Sequence, residues 1–590
     1  MRHAPIAALL LCACAATPPL PWDDAAGSVA DPALAQLCRD AWERQLADHP
    51  REATSLGDPR HNGELVLPAP EHAAARAAAL GRFLERARAI DPAGLEPADR
   101  VTRALLIEDW DLALEEHALA VDFDSWEIDP IYGPQASFLT AARDQPVATR
   151  AERRQLLQRW RRIPAYLDQV GANLIRGLEH DRVASYTAVG KVIAQLDALL
   201  ATPPERSPLV TRLPPQTAPA LAREVLAVVR DEIYPAFARY RSLLAGRVLP
   251  RARDDDHPGL GWVPGGAEAY RVRIRRETSL DLEPEAIHAI GLAVVARIRG
   301  EISELGQRVF GTADVAEIQE RLRNSPQMHF TSRDEVEAKA RESLDRARAA
   351  MVQAFGRLPQ APCEVVRVPP HEEADTTIGY YNGPAADGSR PGRYFINTSL
   401  PETRPRYEAE VLAYHESIPG HHLQISIAQE LQGLPMLRRT GGNTAFVEGW
   451  ALYCERLCDE LGLYSGDVDR LGMLSFDAWR ASRLVVDTGL HALGWSRRQA
   501  IDYMVENTLL AENNVANEVD RYIAWPGQAL AYKLGQREIL ALRERAREVL
   551  GPAFELAGFH DRVLENGAVT LPVLRAQIEA WLAERAARGQ

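Results

Sequence analysis

Apolar residues at helical spacing recur along most of this chain, and they constrain its fold more than any other feature. The spacing predicts helices over residues 34–48, 71–90, 99–120, 150–178, 185–202, 217–246, 284–310, 313–323 and 333–356. Turns that contain Pro or Gly separate these segments, and helical patterns resume at Pro405 and continue to the last residues. The expected architecture is therefore mainly α.

The pattern changes after Pro359, where β-branched and aromatic residues become frequent. Three short strands are predicted, over 363–369, 376–381 and 393–398, and turn residues crowd the connection 382–392. We expect one small sheet directly before the most informative helix. The expected organisation is a signal over 1–20, an N-terminal helical region over 21–358, a core over 359–545 and C-terminal helices over 546–590.

The overall charge argues against a nucleic-acid-binding protein. The sequence has 68 Lys and Arg residues against 82 Asp and Glu residues, a net charge of −14, whereas nucleic-acid binders present a basic face. No stretch reaches the roughly 18 apolar residues of a membrane span. The four cysteines after the first twenty residues are too few for a disulfide framework.

The first twenty residues resemble an export signal. A short basic start is followed by an apolar run from Ile6 to Ala16, which is too short to cross a bilayer. Leu11–Cys14 resembles the bacterial lipobox, so Cys14 is predicted to carry a lipid anchor. A plain cleaved signal that ends near Ala16 is the alternative. Either interpretation predicts an exported protein, in the periplasm or the cell envelope.

The segment YHESIPGHHLQ, residues 414–424, contains candidate metal ligands. In a common zinc-hydrolase pattern, two His residues four apart on one helix bind zinc, and a Glu beside the first activates water. His415 is followed by Glu416, but His421 and His422 come six and seven residues after His415. Seven residues of straight helix rise roughly 10.5 Å, which is too far for two imidazoles to share one ion.

A helix interruption would remove this difficulty. Pro419 lacks the N–H that a helix interior needs, and Gly420 loosens the backbone. A two-residue bulge would restore one-turn geometry between His415 and His421. We therefore favour His421 as the second ligand, with His422 as the alternative.

Glu448, in the segment FVEGWALY, is the candidate third ligand. It lies on an otherwise apolar helix face, where a carboxylate is costly to bury unless it is paired or bound to a metal. The adjacent Gly449 permits close approach of another helix. Two His and one Glu leave a fourth position for water, which is typical of a catalytic zinc site. One Zn²⁺ per chain is expected.

Together, HESIPGHH, FVEGWALY and the upstream YYNGPAADGSRPGRYFINT resemble the bacterial domain-of-unknown-function family DUF885. That family is similar to zinc peptidases with a His-Glu motif and a downstream Glu, such as thimet oligopeptidase and angiotensin-converting enzyme. The resemblance implies that His415, His421 and Glu448 bind the metal and that Glu416 is the general base. By analogy, the helices would enclose a channel that admits short peptides.

Two helical segments further along the chain supply other candidates. In RLVVDTGLH, Asp487 could fix the tautomer of His491 and leave one imidazole nitrogen for substrate; a structural salt-bridge ladder is the alternative. The resemblance implies an oxyanion donor in the C-terminal helices, with Tyr522 the first candidate and Tyr532 the second.

Substrate-binding groups are predicted on either side of the metal segment. Arg521 or Lys533 could hold a substrate carboxylate, although a solvated charge pattern is the alternative. RYFINT, which includes Asn397, precedes the metal helix as the substrate-pairing edge strand does in zinc peptidases, so its free backbone groups could bind an extended peptide.

The sequence thus predicts an exported zinc metallopeptidase that hydrolyses short peptides. A zinc amidohydrolase acting on non-peptide or cell-wall amides is one alternative. A non-catalytic, metal-containing peptide-binding lipoprotein is another, although a structural metal site has no need of the base Glu416. A short peptide is the expected partner, with no nucleic acid and with membrane contact only through the lipid anchor. The oligomeric state is not predicted.

Overall fold

The computed structural model describes residues 25–119, 128–211, 213, 219–369, 373, 377–384 and 390–587. The predicted signal and Cys14 lie outside these residues. Helices dominate the described chain and one small mixed sheet accompanies them, so the predicted mainly α class is confirmed. Of the described helices, none combines the length and the apolar character that crossing a bilayer requires.

Most helices before the sheet correspond to predicted segments, whereas the helices over 50–56, 134–144, 208–211 and 266–278 were not predicted. The helices before the sheet are α1 (Pro32–Asp48), α2 (Pro50–Leu56), α3 (Pro70–Ala89), α4 (Pro97–Ala118), α5 (Pro134–Asp144), α6 (Arg150–Trp160), α7 (Ile163–Glu179), α8 (Tyr186–Ala201), α9 (Pro208–Thr211), α10 (Pro219–Val228), α11 (Tyr234–Leu243), α12 (Gly266–Thr278), α13 (Pro284–Phe310), α14 (Val315–Asn324) and α15 (Arg333–Ala350). Many begin with Pro, whose fixed φ suits the first helical position and whose missing N–H costs nothing there.

The sequence pattern misjudged the continuity of one helix and predicted that of another. The helix predicted over 150–178 is two helices, because the chain turns at Arg161 and Arg162 and Pro164 stands in the first turn of α7. The helix predicted over 217–246 is continuous: the π-helical stretch Val229–Ile233 joins α10 to α11, and a second one, Leu244–Val248, follows α11. Each π stretch admits an extra residue into a turn without ending the helix.

The sheet contains β1 (Cys363–Arg367), β2 (Gly379–Asn382) and β3 (Gly392–Ile396), in the order β1-β3-β2. β3 runs parallel to β1 and antiparallel to β2. The prediction that RYFINT is an edge strand is therefore wrong. Both sides of β3 are hydrogen-bonded to neighbours, so its backbone groups are not free to pair with a peptide.

The remaining helices are α16 (Ala409–Glu416), α17 (His421–Glu430), α18 (Met436–Thr440), α19 (Thr444–Glu460), α20 (Asp467–His491), α21 (Arg497–Asn507), α22 (Glu512–Ala524), α23 (Ala531–Leu550), α24 (Leu556–Leu564) and α25 (Leu571–Ala587). α16, α19 and α20 surround one large apolar core that includes Tyr414, Trp450 and Phe476. A Cβ on Gly449 would lie 2.5 Å from the backbone of Gly535, so α19 and α23 cross as closely as glycines allow.

Candidate metal centre

The chain breaks its helix between His415 and His421. α16 ends at Glu416, α17 starts at His421, and the Ile418–Pro419 peptide bond between them is cis. The Gly420 N–H donates to the Tyr414 carbonyl at 3.0 Å. A Cβ on Gly420 would come within 2.0 Å of the His415 carbonyl oxygen, so the chain can fold back here only with Gly.

This break brings together three side chains that could hold a metal ion, and their ligand atoms all lie within 4.8 Å of one another: His415, His421 and Glu448. The Glu448 Oε2 atom is 3.7 Å from His415 Nε2 and 3.5 Å from His421 Nε2. Two ligand atoms that each lie about 2.0–2.1 Å from a tetrahedral zinc ion would be about 3.4 Å apart. The observed separations fit such an ion.

The unsatisfied polar atoms of the cluster also fit a cation. Glu448 Oε2 is buried and accepts no hydrogen bond from the described residues. Burial would raise the pKa of Glu448, but the positive charges of His421 and His415 hold it well below its usual range. An ionised carboxylate with an unbonded oxygen that faces two imidazoles is a suitable set of ligands for a metal ion.

Glu455 supports the cluster through a hydrogen bond to His415, and the sequence pattern did not identify this residue. Its Oε1 accepts from His415 Nδ1 at 2.7 Å, and the side chain is 1% exposed. This hydrogen bond fixes the tautomer that leaves His415 Nε2 free to face Glu448. The signal that could have revealed it is the spacing from Glu448, since residues seven apart in α19 share one helix face.

Glu416 lies next to this cluster with a carboxylate that has no hydrogen bond to the described residues. It is half-buried and is the last residue of α16. Burial raises the pKa of Glu416, whereas the positive charges of His415 and His421 act against that rise. A carboxylate beside the ligands that is free of other partners can accept a proton from water.

His422 is tied to the sheet rather than to the cluster. Its Nδ1 accepts from the Tyr381 hydroxyl at 2.8 Å, and its Nε2 donates to the Ala361 carbonyl at 3.0 Å. Burial lowers the pKa of His422 to about 4, so the ring stays neutral. Both ring nitrogens are therefore used, and His421 is the residue that joins His415.

The expected partnership between Asp487 and His491 is wrong. Asp487 accepts from the Tyr270 hydroxyl at 2.5 Å and from the Gly527 N–H at 3.1 Å. His491 accepts at Nδ1 from the Leu260 N–H at 2.9 Å and donates from Nε2 to the backbone carbonyl of residue 522 at 3.0 Å. No ring nitrogen remains for substrate, so the predicted catalytic role of His491 loses its basis.

Tyr522 is fully engaged in a buried network. Its hydroxyl accepts from Trp479 Nε1 and Arg483 Nε, both at 2.9 Å, and donates to Glu518 at 2.8 Å. The side chain is almost fully buried. A hydroxyl that already donates to a carboxylate is a poor donor to a developing oxyanion.

Tyr532 is better placed than Tyr522 for that role. Its side chain is half-buried, and among the described residues its hydroxyl has only a long contact of 3.4 Å from Gln528 Nε2. Burial, and next the negative charge of Glu448, raise the pKa of Tyr532, so the phenol is protonated. Tyr532 lies one turn before Gly535, which packs against Gly449, the neighbour of Glu448. Arg521 also contacts Gln528 and bonds Glu518 at 2.9 Å.

Lys533 and Asn397, predicted to bind substrate, have structural partners instead. Lys533 forms a buried ion pair with Asp477 and donates to Gln536 at 2.7 Å. Asn397 is buried, and its Oδ1 accepts from the Ser399 N–H at 3.1 Å in the loop after β3. Neither side chain presents a free group to the cluster.

The comparisons with known proteins identify a family and similar solved structures. The sequence matches a bacterial protein family of unknown function, DUF885, over residues 50–578. Among solved structures, it is similar to a predicted lipoprotein from Colwellia psychrerythraea, with a TM-score of 0.87 and 30% identity over 94% of this chain and 99% of that one. A predicted lipoprotein of unknown function from Shewanella oneidensis matches at a TM-score of 0.72 and 18% identity, over 92% of this chain and 99% of that one. A search of curated proteins found no significant match.

Proposed function

The chain belongs to the bacterial family DUF885, and from its candidate metal centre we propose that it is a zinc-dependent metallopeptidase that hydrolyses short peptides. The observation that carries the proposal is the convergence of His415, His421 and Glu448 beside the free carboxylate of Glu416. A structural zinc site is normally closed by four protein ligands and has no need of an adjacent base. Three ligands with a neighbouring carboxylate favour catalysis.

Each side chain of the site has a chemical task in this proposal. Zinc bound by the three ligands would supply Lewis acidity, which lowers the pKa of water and polarises a carbonyl group. Glu416 takes the proton from the attacking water and passes it to the leaving amine. Tyr532 donates a hydrogen bond to the oxygen on which negative charge develops. Glu455 keeps His415 in the tautomer that the metal needs.

We also propose that the protein is exported and lipid-anchored at Cys14. The lipobox-like segment supports this location, and so do the two similar structures, which are described as predicted lipoproteins. Metabolic labelling with a lipid precursor should mark the wild-type protein and should not mark Cys14→Ala. An unlabelled wild-type chain would reduce the segment to an ordinary signal.

The proposed activity is tested by digestion of a mixed peptide library, read by mass spectrometry, with metal content measured on the same sample. The expected result is one zinc ion per chain and cleavage of short peptides that a chelator abolishes. Glu416→Gln should retain zinc and lose most turnover. A zinc-loaded protein that cleaves no peptide in the library would overturn the peptidase assignment, and full turnover by Glu416→Gln would overturn the mechanism.

A further inference from the structure

A buried guanidinium in α20 has no ionic partner among the described residues. Arg480, in the middle of α20, is only 4% exposed. Its Nε and Nη1 atoms are buried and have no hydrogen-bond partner, and no carboxylate of the described chain lies within ion-pair distance. Its contacts are the rings of Trp479 and Phe476, with the guanidinium carbon 3.9 and 4.3 Å from the ring centroids.

The positive charge of Arg480 is not isolated. Arg483, one turn further along α20, and Arg521 on α22 share a single carboxylate, Glu518, at 3.0 and 2.9 Å. Arg483 Nη1 is also buried without a partner among the described residues. The three guanidinium groups therefore have one carboxylate nearby, which two of them bond, and Arg side chains stay charged in proteins. The cluster carries uncompensated positive charge in a buried position.

This arginine cluster adjoins the metal centre through Tyr532. The guanidinium carbon of Arg483 lies 4.2 Å from the centroid of the Tyr532 ring. Tyr532 precedes Gly535 by one turn of α23, and Gly535 packs against Gly449, the neighbour of Glu448. Asp477, one turn before Arg480 on α20, accepts from Arg456 at 3.1 Å, and Arg456 is the neighbour of Glu455 on α19. A ligand held by the arginines would therefore lie close to the metal centre.

A buried, unpaired charge is expensive, and proteins normally pair it or replace it with an apolar residue. The Lys533–Asp477 pair, also formed by a residue of α20, shows the usual solution in this protein. Arg480 has no such partner, and its planar fork of donors matches the two oxygens of a carboxylate. An anion that arrives with the substrate would supply the missing partner.

We propose that Arg480, assisted by Arg483, binds a carboxylate group of the peptide substrate next to the scissile bond. The inference rests on the proposed peptidase function and specifies its substrate class. The carboxylate is either the C-terminus of the peptide, in which case the enzyme removes residues from that end, or an acidic side chain. The chemistry of recognition is the same for both sources.

The test compares the turnover of three peptides by the zinc-loaded enzyme. Two peptides share one sequence and end in a free acid or in an amide, and the third is an amide with Glu as the last residue. The wild-type enzyme should turn over at least one carboxylate-bearing peptide with a kcat/KM about 10- to 100-fold above that of the plain amide, as expected for charge-assisted hydrogen bonds. A preference for the free acid identifies the terminal carboxylate, and a preference for the Glu amide identifies a side chain. Equal turnover of all three peptides would overturn the proposal while leaving the peptidase intact.

Arg480→Met should lower the kcat/KM of the preferred peptide by about 10- to 100-fold. The kcat/KM of that peptide should then be close to the kcat/KM of the plain amide. Arg498→Gln is the matched control, because Arg498 is an exposed residue of α21 that pairs with Asp502. If Arg480→Met still prefers the carboxylate-bearing peptide over the plain amide, the proposal would also be overturned. If no peptide is cleaved, the proposed function fails instead, and calorimetric binding of the free-acid and amide peptides to zinc-loaded Glu416→Gln still decides the carboxylate preference.

Thermal unfolding separates a binding role of Arg480 from a structural one. Removing a charge that has no partner should leave the Tm of Arg480→Met equal to or above that of the wild type. Arg456→Met should lower the Tm, because Arg456 bonds the buried Asp477 and also Glu301. A comparable drop in Tm for both variants would show that Arg480 serves the fold, contrary to the proposal.

Discussion

Replacing Glu455 by Gln removes one negative charge from behind the candidate metal centre and leaves nearly the same shape. The Gln amide oxygen can still accept from His415 Nδ1, where the carboxylate now accepts at 2.7 Å. Only the charge of the acceptor changes. The variant therefore isolates the electrostatic contribution of Glu455 to metal binding from its contribution to the orientation of the ring.

The size of the effect follows from this hydrogen bond. A hydrogen bond to a charged group contributes about 1.5–3 kcal/mol, and a neutral one about 0.5–1.5 kcal/mol. The difference of about 1–1.5 kcal/mol corresponds to roughly a tenfold rise in the zinc Kd. This agrees with the 10- to 100-fold losses that are typical when a carboxylate behind a metal-bound His is altered.

Proton competition makes the expected loss depend on pH. In the metal-free protein, burial opposes protonation of His415, but Glu448 and Glu455 prevail and raise its pKa to about 9. Zinc must displace this proton below pH 9, and the charge of Glu455 stabilises the proton as well as the metal. Removal of that charge should therefore cost less zinc affinity near pH 7 than near pH 10, where His415 is already neutral in both proteins.

The assay is zinc titration against a competing chelator at both pH values, with Glu460→Gln as the control. Glu460 lies on the same helix, α19, and its exposed carboxylate pairs with Arg543. The control should bind zinc as tightly as the wild type. Unfolding of the metal-free variants, followed by circular dichroism, shows whether the fold is retained. An unchanged Kd for a folded Glu455→Gln at high pH would refute the reasoning.

Four further variants test other parts of the centre. Glu416→Gln should keep its zinc, since residue 416 is not a ligand, and should slow peptide turnover by about 10²–10⁴-fold in a steady-state assay. Tyr532→Phe should leave zinc content unchanged and reduce kcat by about 10²–10³-fold; an unaltered kcat would exclude it as an oxyanion donor. His421→Ala should lose zinc, whereas His422→Ala should lose thermal stability and keep a measurable zinc site; zinc loss confined to His422→Ala would reverse the assignment.

Local patterns in the sequence were sufficient for most helices and for the three strands. Helical periodicity and β-branched runs depend on neighbours within a few residues, so one sequence contains the information. The interruption after Glu416 was also predictable, because Pro419 and Gly420 act on the backbone next to them. The same holds for the choice of His415, His421 and Glu448, whose residue types suit a metal and occur in recognisable segments.

Pairing between distant residues could not be predicted in this way. The strand order places β3 between β1 and β2, although the resemblance to zinc peptidases implied an edge position for RYFINT. His491 uses a nitrogen to accept from Leu260, 231 residues away. Whether a His, Tyr or Lys in an apolar segment is free or engaged depends on such partners, and the spacing of residues along one helix does not specify them.

Buried charges show the same limit. Lys533 and Arg480 are both cations within apolar helical segments, and the sequence singled out Lys533 as a carboxylate binder while it passed over Arg480. In the structure Lys533 pairs with Asp477, whereas Arg480 contacts two aromatic rings and no anionic side chain of the described residues. A paired cation stabilises the free protein, whereas an unpaired one costs free energy until a ligand neutralises it. A buried cation that the fold leaves without an anion is therefore the better guide to a ligand site. Arg480 is such a cation, and its helix, α20, shares the core with α16, which carries the proposed base Glu416.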